Sequence, residues 1–217
     1  FVTCACLGKK GRLGNQLFQV AAVVGTAHKN GCQYVLPPWG YARFFDSAIP
    51  QTCDLGQYSV VREARSYGYQ EIRVGGRVSL DGYFQNETYF RHFASSIRRI
   101  FRAKPEHRRL LWDRYPILAD RPWSVHLRRG DYVNSWWPDL TRGDYYGRAL
   151  SHAGKDRPIL LFSDDREWSH QYFRQFRRKM LVVANERDDI MDIFLMSMCA
   201  GHIIANSSFS WWGAWLD

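Results

Sequence analysis

The chain predicts an α/β fold built on parallel sheet, and three observations carry that prediction. Short β-type runs alternate with helical runs along most of the 217 residues. A glycine-rich turn, Gly8 to Gly14, joins the first strand to the first helix. In the second half, three strands each run out into a polar cluster: Arg128-Arg129-Gly130-Asp131, Ser163-Asp164-Asp165 and Asn206-Ser207-Ser208. Strands alternating with helices imply parallel pairing, and parallel pairing puts those three clusters on one edge of a sheet. That edge is where open α/β sheets bind ligands.

The elements follow in order. Phe1 to Leu7 is apolar and β-compatible, and Gln16 to Val24 is a helical run with Asn15 as its expected N-cap and Gly31 as its stop. Gln33 to Leu36 reads as a second strand, completing a βαβ unit. The glycine spacing fits neither a dinucleotide fingerprint nor a P-loop, so a tight turn explains it equally well. Residues 37–77 are irregular. A short strand ends at Asp81-Gly82, a helix beginning near Asn86 or Glu87 carries Phe90, Phe93, Ile97 and Ile100, and another helix covers Pro105 to Trp112. Tyr115 to Pro122 reads as a connection, which sets expected domains of 1–120 and 121–217. The second half opens with Trp123 to Leu127, where Val125 and Leu127 alternate with Ser124 and His126 as in a strand. After a polar loop, Tyr132 to Thr141, come helix 144–152, strand 158–162, helix 167–176, strand 180–183, helix 188–199 and strand 202–205. A last helix begins at about Trp211.

Composition narrows the function. Hydrophobic residues are 46% of the chain, enough for a core and too many for a disordered segment. The net charge of +9 favours an anionic partner: nucleic acid, a membrane surface or a phosphorylated small molecule. Much of that charge is interleaved with apolar residues at helical spacing, as on solvated helix faces. No nucleic-acid-binding motif accompanies it, so no nucleic-acid partner is expected. The five cysteines form no C-x-x-C pair, which argues against structural zinc and for free thiols in a reducing compartment. Cys4 and Cys6 would share one face of a strand. No apolar run reaches the ~20 residues of a membrane-spanning helix.

The strand ends suggest their own chemistry. Arg128 and Arg129 offer planar forks of donors suited to phosphate oxygens. Ser207, Ser208 and Ser210 precede a helix, whose free N–H groups favour an anion; ordinary capping by Ser208 is the plainer alternative. Asp164 and Asp165 could pair with donors on a base or ribose, hold a divalent cation, or simply cap the following helix. With arginines at hand to neutralise phosphate, no metal is expected. His126 is a base or a packed strand histidine. No G-x-S-x-G or H-E-x-x-H motif is present.

His126-Leu-Arg-Arg-Gly-Asp-Tyr132 resembles the signature of the α-1,2-fucosyltransferases, glycosyltransferase family 11. Gly11-Arg-Leu-Gly-Asn-Gln16, Asp81-Gly-Tyr-Phe-Gln85, Phe162-Ser-Asp-Asp165 and Ile203 to Leu216 are similar to further family blocks, in the family's order. The resemblance implies a GT-B-like architecture: two Rossmann-type domains facing a cleft, here an acceptor-side domain over 1–120 and a GDP-fucose-binding domain over 121–217. The second would be incomplete at its C-terminus, since the family continues past Leu216. It implies inverting transfer of L-fucose from GDP-β-L-fucose to the 2-hydroxyl of a galactose-containing acceptor, without a metal or other cofactor. Arg129, with Arg128, would neutralise the leaving diphosphate. Ser207 and Ser208 would hold it too, with Asn206 and Ser210 beside them. Ser163, Asp164 and Asp165 would lie near the guanosine, and Arg12 and Asn15 would approach the donor. Asp131 is the first choice of general base and His126 the second. A catalytically inactive sugar-nucleotide or glycan-binding module is the alternative. The expected compartment is the cytoplasm, with peripheral membrane association allowed, or the Golgi lumen given an N-terminal anchor.

Overall fold

The computed structural model describes residues 1–130, 138–177, 181–184 and 188–217, with the backbone alone for 181–183. Two units make up the chain, Phe1–Pro105 and Glu106–Asp217. The division falls before the expected 120/121 boundary. The segment expected to be a plain connection is packed: Tyr115, Ile117 and Leu118 are all buried. A 3-10 helix occupies Pro116–Asp120 within it.

The first unit holds strands β1 (Val2–Thr3), β2 (Ser59–Arg62) and β3 (Val78–Asp81), all parallel in the order β1-β3-β2. Helix α1 (Leu13–Lys29) follows β1 and is buried on nearly every side, as a helix with apolar residues all round must be. It starts earlier than its sequence suggests. Arg12 occupies the cap position, and Asn15 lies inside the first turn. The Gln16 amide instead donates back to the Gly11 carbonyl, 3.0 Å away. The stop is as expected: Gly31 takes φ +61°, and its N–H donates to His28 O. The anticipated strand Gln33 to Leu36 shrinks to isolated bridges, Tyr34 with Val2 and Leu36 with Gln51. Pro37 and Pro38 end it by removing ladder donors. The helix expected from Asn86 is broken into two 3-10 turns before α2 (Ala94–Ile100) begins.

The second unit contains α3 (Pro105–Arg114), β4 (Trp123–Leu127), α4 (Tyr145–His152), β5 (Ile159–Ser163) and α5 (Arg166–Arg174). It continues with β6 (Leu181–Val183), α6 (Asp189–Met196), β7 (Gly201–Ile203) and α7 (Ser208–Trp215). Its four strands are parallel in the order β6-β5-β4-β7. From β4 the chain builds outward through β5 to β6, then crosses to the other side of β4 to add β7. The sheet therefore reverses direction of growth between β4 and β7, a topological switch point. One face of the sheet packs Val125, Leu127, Ile159, Leu161 and Ile203 against Tyr146 and Leu150 of α4 and Phe173 of α5. The other is covered too, so the polar positions of β4 are buried: Ser124 bonds to His202 Nδ1 at 2.8 Å, and His126 lies under Phe209 of α7.

Gly25 marks the tightest packing of α1. A Cβ there would lie 2.3 Å from Tyr89 O and 2.7 Å from Phe90 Cα. Alanine is the better helix former, but here it must push backbone. Gly25→Ala is expected to lower stability by about 1–3 kcal/mol, read as a drop in thermal midpoint.

Candidate active site

The described residues of the three polar clusters follow the C-terminal ends of the neighbouring strands β4, β5 and β7. Leu127 is level with Ser163 on β5, and Val125 with Ile203 on β7. Arg128 and Arg129 therefore leave β4 beside the switch point, with Ser163-Asp164-Asp165 on one side and Asn206-Ser207-Ser208 on the other.

The two aspartates hold the two arginines. Arg128 Nη1 lies 3.0 Å from Asp164 Oδ2, and Arg129 Nε donates to Asp165 Oδ2 at 3.0 Å. The Arg129 backbone N–H also donates to Asp164 Oδ1, at 2.9 Å. Asp164 thus bridges a guanidinium and the backbone of the next residue, which fixes how the chain leaves β4. Gly130 makes room for this, since a Cβ there would sit 2.5 Å from Asp164 Oδ2. Asp165 does two jobs: its other oxygen accepts from Trp168 N and caps α5. Ser163 Oγ accepts from Asp165 N at 3.1 Å and from Ser169 Oγ at 2.7 Å. Its hydroxyl is committed to shaping the turn.

Trp168 was not anticipated. The Arg129 guanidinium carbon stands 3.8 Å above its ring, and Tyr172 stacks on the same indole with 13° between planes. The cation is fixed from two directions, by a carboxylate at its edge and an aromatic face beneath it. The only sequence signal was position: Trp168 falls in the first turn of α5, three residues after Asp165.

Other expected residues take plainer roles. Ser207, not Ser208, caps α7, accepting from Phe209 N. Ser210 is fully buried, and its hydroxyl donates to Ala205 O and Ser207 O, so it faces the protein rather than a ligand. Ser208 opens α7, and the Asn206 amide donates to Pro138 O at 3.4 Å. Asp131, the first choice of base, lies outside the described residues, as do Tyr132 to Trp137 of its loop and Met180 at the start of the expected strand.

His126 is 4% exposed, which keeps it from meeting an acceptor hydroxyl. Its carbonyl accepts from Tyr146 OH at 3.0 Å, and its Nδ1 has no partner among the described residues. Burial, reinforced by the charge of Arg128 and opposed by Asp164, pushes its pKa down from 6.5 to about 4. It is a neutral, packed ring.

Arg12 and Asn15 belong to the first unit, on the turn and first helical turn after β1. Asn15 Oδ1 accepts from the Gln85 amide, and Gly11 at φ +78° leaves space for the Asn15 and Tyr83 side chains. Gln16 is an anchor rather than a ligand group: it receives the Trp39 indole N–H at 2.8 Å. Among the described residues no His, Cys, Asp and Glu side chains gather in a group of three or more able to hold a metal ion, and no helix is long and apolar enough to cross a membrane.

Fold and strand ends together define a parallel-sheet α/β protein that presents fixed cations at a switch point, where such sheets take phosphorylated ligands. The chain belongs to glycosyl transferase family 11, whose family model matches residues 57–217. It is 30% identical over 171 residues to the Escherichia coli O-antigen biosynthesis glycosyltransferase WbnK, covering 71% of this chain and 57% of that protein. It is 36% identical over 152 residues to an Escherichia coli alpha-1,2-colitosyltransferase, covering 65% and 52%. Galactoside 2-alpha-L-fucosyltransferase SEC1 of Bos taurus is 26% identical, covering 97% of this chain and 63% of the relative. The chain thus spans between half and two-thirds of the length of these proteins. Among solved structures, the fucosyltransferase NodZ from Bradyrhizobium matches with a TM-score of 0.59 at 14% identity, over 98% of this chain and 91% of that one. That likeness bears out the GT-B-like α/β fold class.

The histidine carries a pH signature. Its folded pKa lies below its ordinary value, so the folded state resists protonation. Its stability is whole above pH 6.5 and is lost as pH falls from there to about 4. The full loss is about 3 kcal/mol. Denaturant midpoints measured from neutral to acidic pH are expected to fall for the native chain, and to fall less for His126→Asn.

Proposed function

We propose that this chain is the catalytic part of an inverting fucosyltransferase, moving L-fucose from GDP-β-L-fucose to the 2-hydroxyl of a galactose-containing glycan. The observation that carries the reading is Arg129 at the switch point, clamped between Asp165 and Trp168. The sugar and linkage are supported by relatives named for alpha-1,2 transfer of colitose and of fucose. A NodZ crystal soaked with GDP-fucose supports the donor.

As the glycosidic bond to the donor breaks, negative charge grows on the departing diphosphate. Guanidinium groups fixed beforehand stabilise that charge without reorganising, and such stabilisation is the largest single term in many enzymes. Arg129 and Arg128 are assigned this role, with the start of α7 at Ser207 and Ser208 adding backbone N–H groups. Asp164 and Asp165 hold the arginines at rest. When the diphosphate arrives it competes with the carboxylates for the same guanidinium groups. With two cations in place, no metal is assigned to the diphosphate. Asp131 is assigned as the base that takes the proton of the acceptor hydroxyl. Arg12 and Asn15 are assigned to the donor from the first unit. The cytoplasm is the proposed compartment.

The test is GDP release from GDP-fucose with a panel of β-galactosides. The native chain is expected to turn over with at least one of them. Arg129→Ala is expected to lose about 10²-fold or more in kcat, as when a leaving-group donor is removed. Arg129→Lys should recover little, because an ammonium cannot copy the planar fork. GDP binding with no transfer to any acceptor would instead assign a binding module. Turnover of a colitosyl donor alone would overturn the choice of sugar.

A further inference from the structure

The turn that leaves β1 carries chemistry that phosphate recognition does not use. Cys4 and Cys6 flank Ala5, and their sulfurs lie 3.4 Å apart. The chain curls after Thr3: Leu7 N donates to Cys4 O and Lys9 N to Cys6 O, each at 3.0 Å. Ala5 N donates to Ser79 Oγ at 3.0 Å, pinning the turn to β3. The curl brings both thiols to the same side, above the end of β3. Cys4 is fully buried and Cys6 is half-buried, so one sulfur is reachable and the other is sheltered behind it.

The surroundings favour a thiolate at Cys6. With Cys4 as the donor of the pair its proton favours charge on Cys6, the Gly82 backbone N–H adds a second donor and the Lys10 ammonium adds positive charge, while Leu80 O stands 3.9 Å from the Cys6 sulfur. The Gln19 amide stands 4.0 Å from the same sulfur. The Cys4 hydrogen bond leads in pulling the Cys6 thiol down to about 7, against burial and the charge of Asp81. The same interaction, with burial behind it, pushes Cys4 well above the thiol range.

We propose that Cys4 and Cys6 form a modification site for hydrogen peroxide, in which Cys6 is oxidised first and Cys4 closes an intramolecular disulfide. In the first step the Cys6 thiolate attacks one peroxide oxygen. The O–O bond breaks, an S–O bond forms, and the departing hydroxide takes a proton and leaves as water. In the second step the Cys4 sulfur attacks the sulfenic sulfur. An S–S bond forms, the S–O bond breaks, and hydroxide leaves with the Cys4 proton as a second water. Two electrons pass from the thiol pair to the peroxide, which is the only oxidant required. A ring spanning a single intervening residue is strained, so the bond formed is readily reduced again.

The site is wired to the turn that precedes α1. Gln19 donates to Lys10 O at 3.3 Å and to Gly82 O at 2.9 Å while its amide approaches Cys6. Lys10 in turn pairs with Asp81 at 3.2 Å. Drawing Cys6 toward Cys4 moves the sulfur away from the Gln19 amide.

The full chain is treated with hydrogen peroxide in small excess, alkylated, digested and mapped by mass spectrometry. The expected product is a peptide holding Cys4 and Cys6 short of two hydrogens, restored by dithiothreitol, while the exposed Cys53 stays alkylatable. In parallel, the rate of Cys6 alkylation is followed against pH, with an expected midpoint near 7. Cys4→Ala should raise that midpoint by about one pH unit or more, and Cys4→Ser, whose hydroxyl still donates, should keep it low. Cys4→Ser should also leave Cys6 as a sulfenic acid that dimedone traps. Oxidation of Cys53 ahead of Cys6, a native Cys6 that stops at sulfenic acid, or an alkylation midpoint unmoved by Cys4→Ala would each overturn the proposal.

Discussion

Two ion pairs between the ends of β4 and β5 hold the second unit's candidate site together. Arg128 with Asp164 and Arg129 with Asp165 join residues far apart in sequence and adjacent in the sheet. The parallel register makes this possible by setting Leu127 level with Ser163, so both chains emerge at the same height. Without the aspartates, two neighbouring cations would repel one another and their long side chains would sample many rotamers. With them, both guanidinium groups are held in fixed positions at the sheet edge.

The same residues show how a site borrows from structural necessity. Asp165 caps α5 while holding Arg129, and Ser163 shapes the turn that places both aspartates. Trp168, in the first turn of the helix that Asp165 caps, lies under the guanidinium. One short segment at the end of β5 thus ends a strand, starts a helix and fixes the arginine. In the first unit the turn between β1 and α1 has a comparable economy. Gln19, buried within α1, holds the carbonyls of Lys10 and Gly82 and approaches Cys6, tying the turn to the end of β3.

Much of this was legible from residue order. Strand β4, helices α3 and α4, and the strand–helix alternation of the second half follow from the spacing of apolar residues, near-continuous in strands buried on both faces and at helical period in helices. The polar clusters were visible because charged residues at strand ends interrupt that periodicity. Less legible was anything that depends on a partner distant in sequence. The pairing of Asp164 with Arg128 looks, in one dimension, the same as a solvated turn. His126 looks like a base until the second sheet face is covered by Phe209. The helix expected after Asn86 fails because Phe90 and Phe93 leave the helical region, at φ −138° and −125°, and the chain breaks into 3-10 turns, which no local propensity announces.

Sequence alone determined the α/β class, the membership implied by its motifs, and the chemical types at the strand ends: two arginines, two aspartates and a serine-led helix start. These are local properties, carried by periodicity and residue identity. Tertiary structure alone decided the strand order β6-β5-β4-β7, and with it the switch point between β4 and β7 beside which Arg128 and Arg129 lie. It also decided which side chains are committed inward, Ser210 and His126 among them, and that two thiols one residue apart would touch. Order, burial and contact depend on which elements lie side by side, and that is set by packing of the whole chain rather than by any stretch of it.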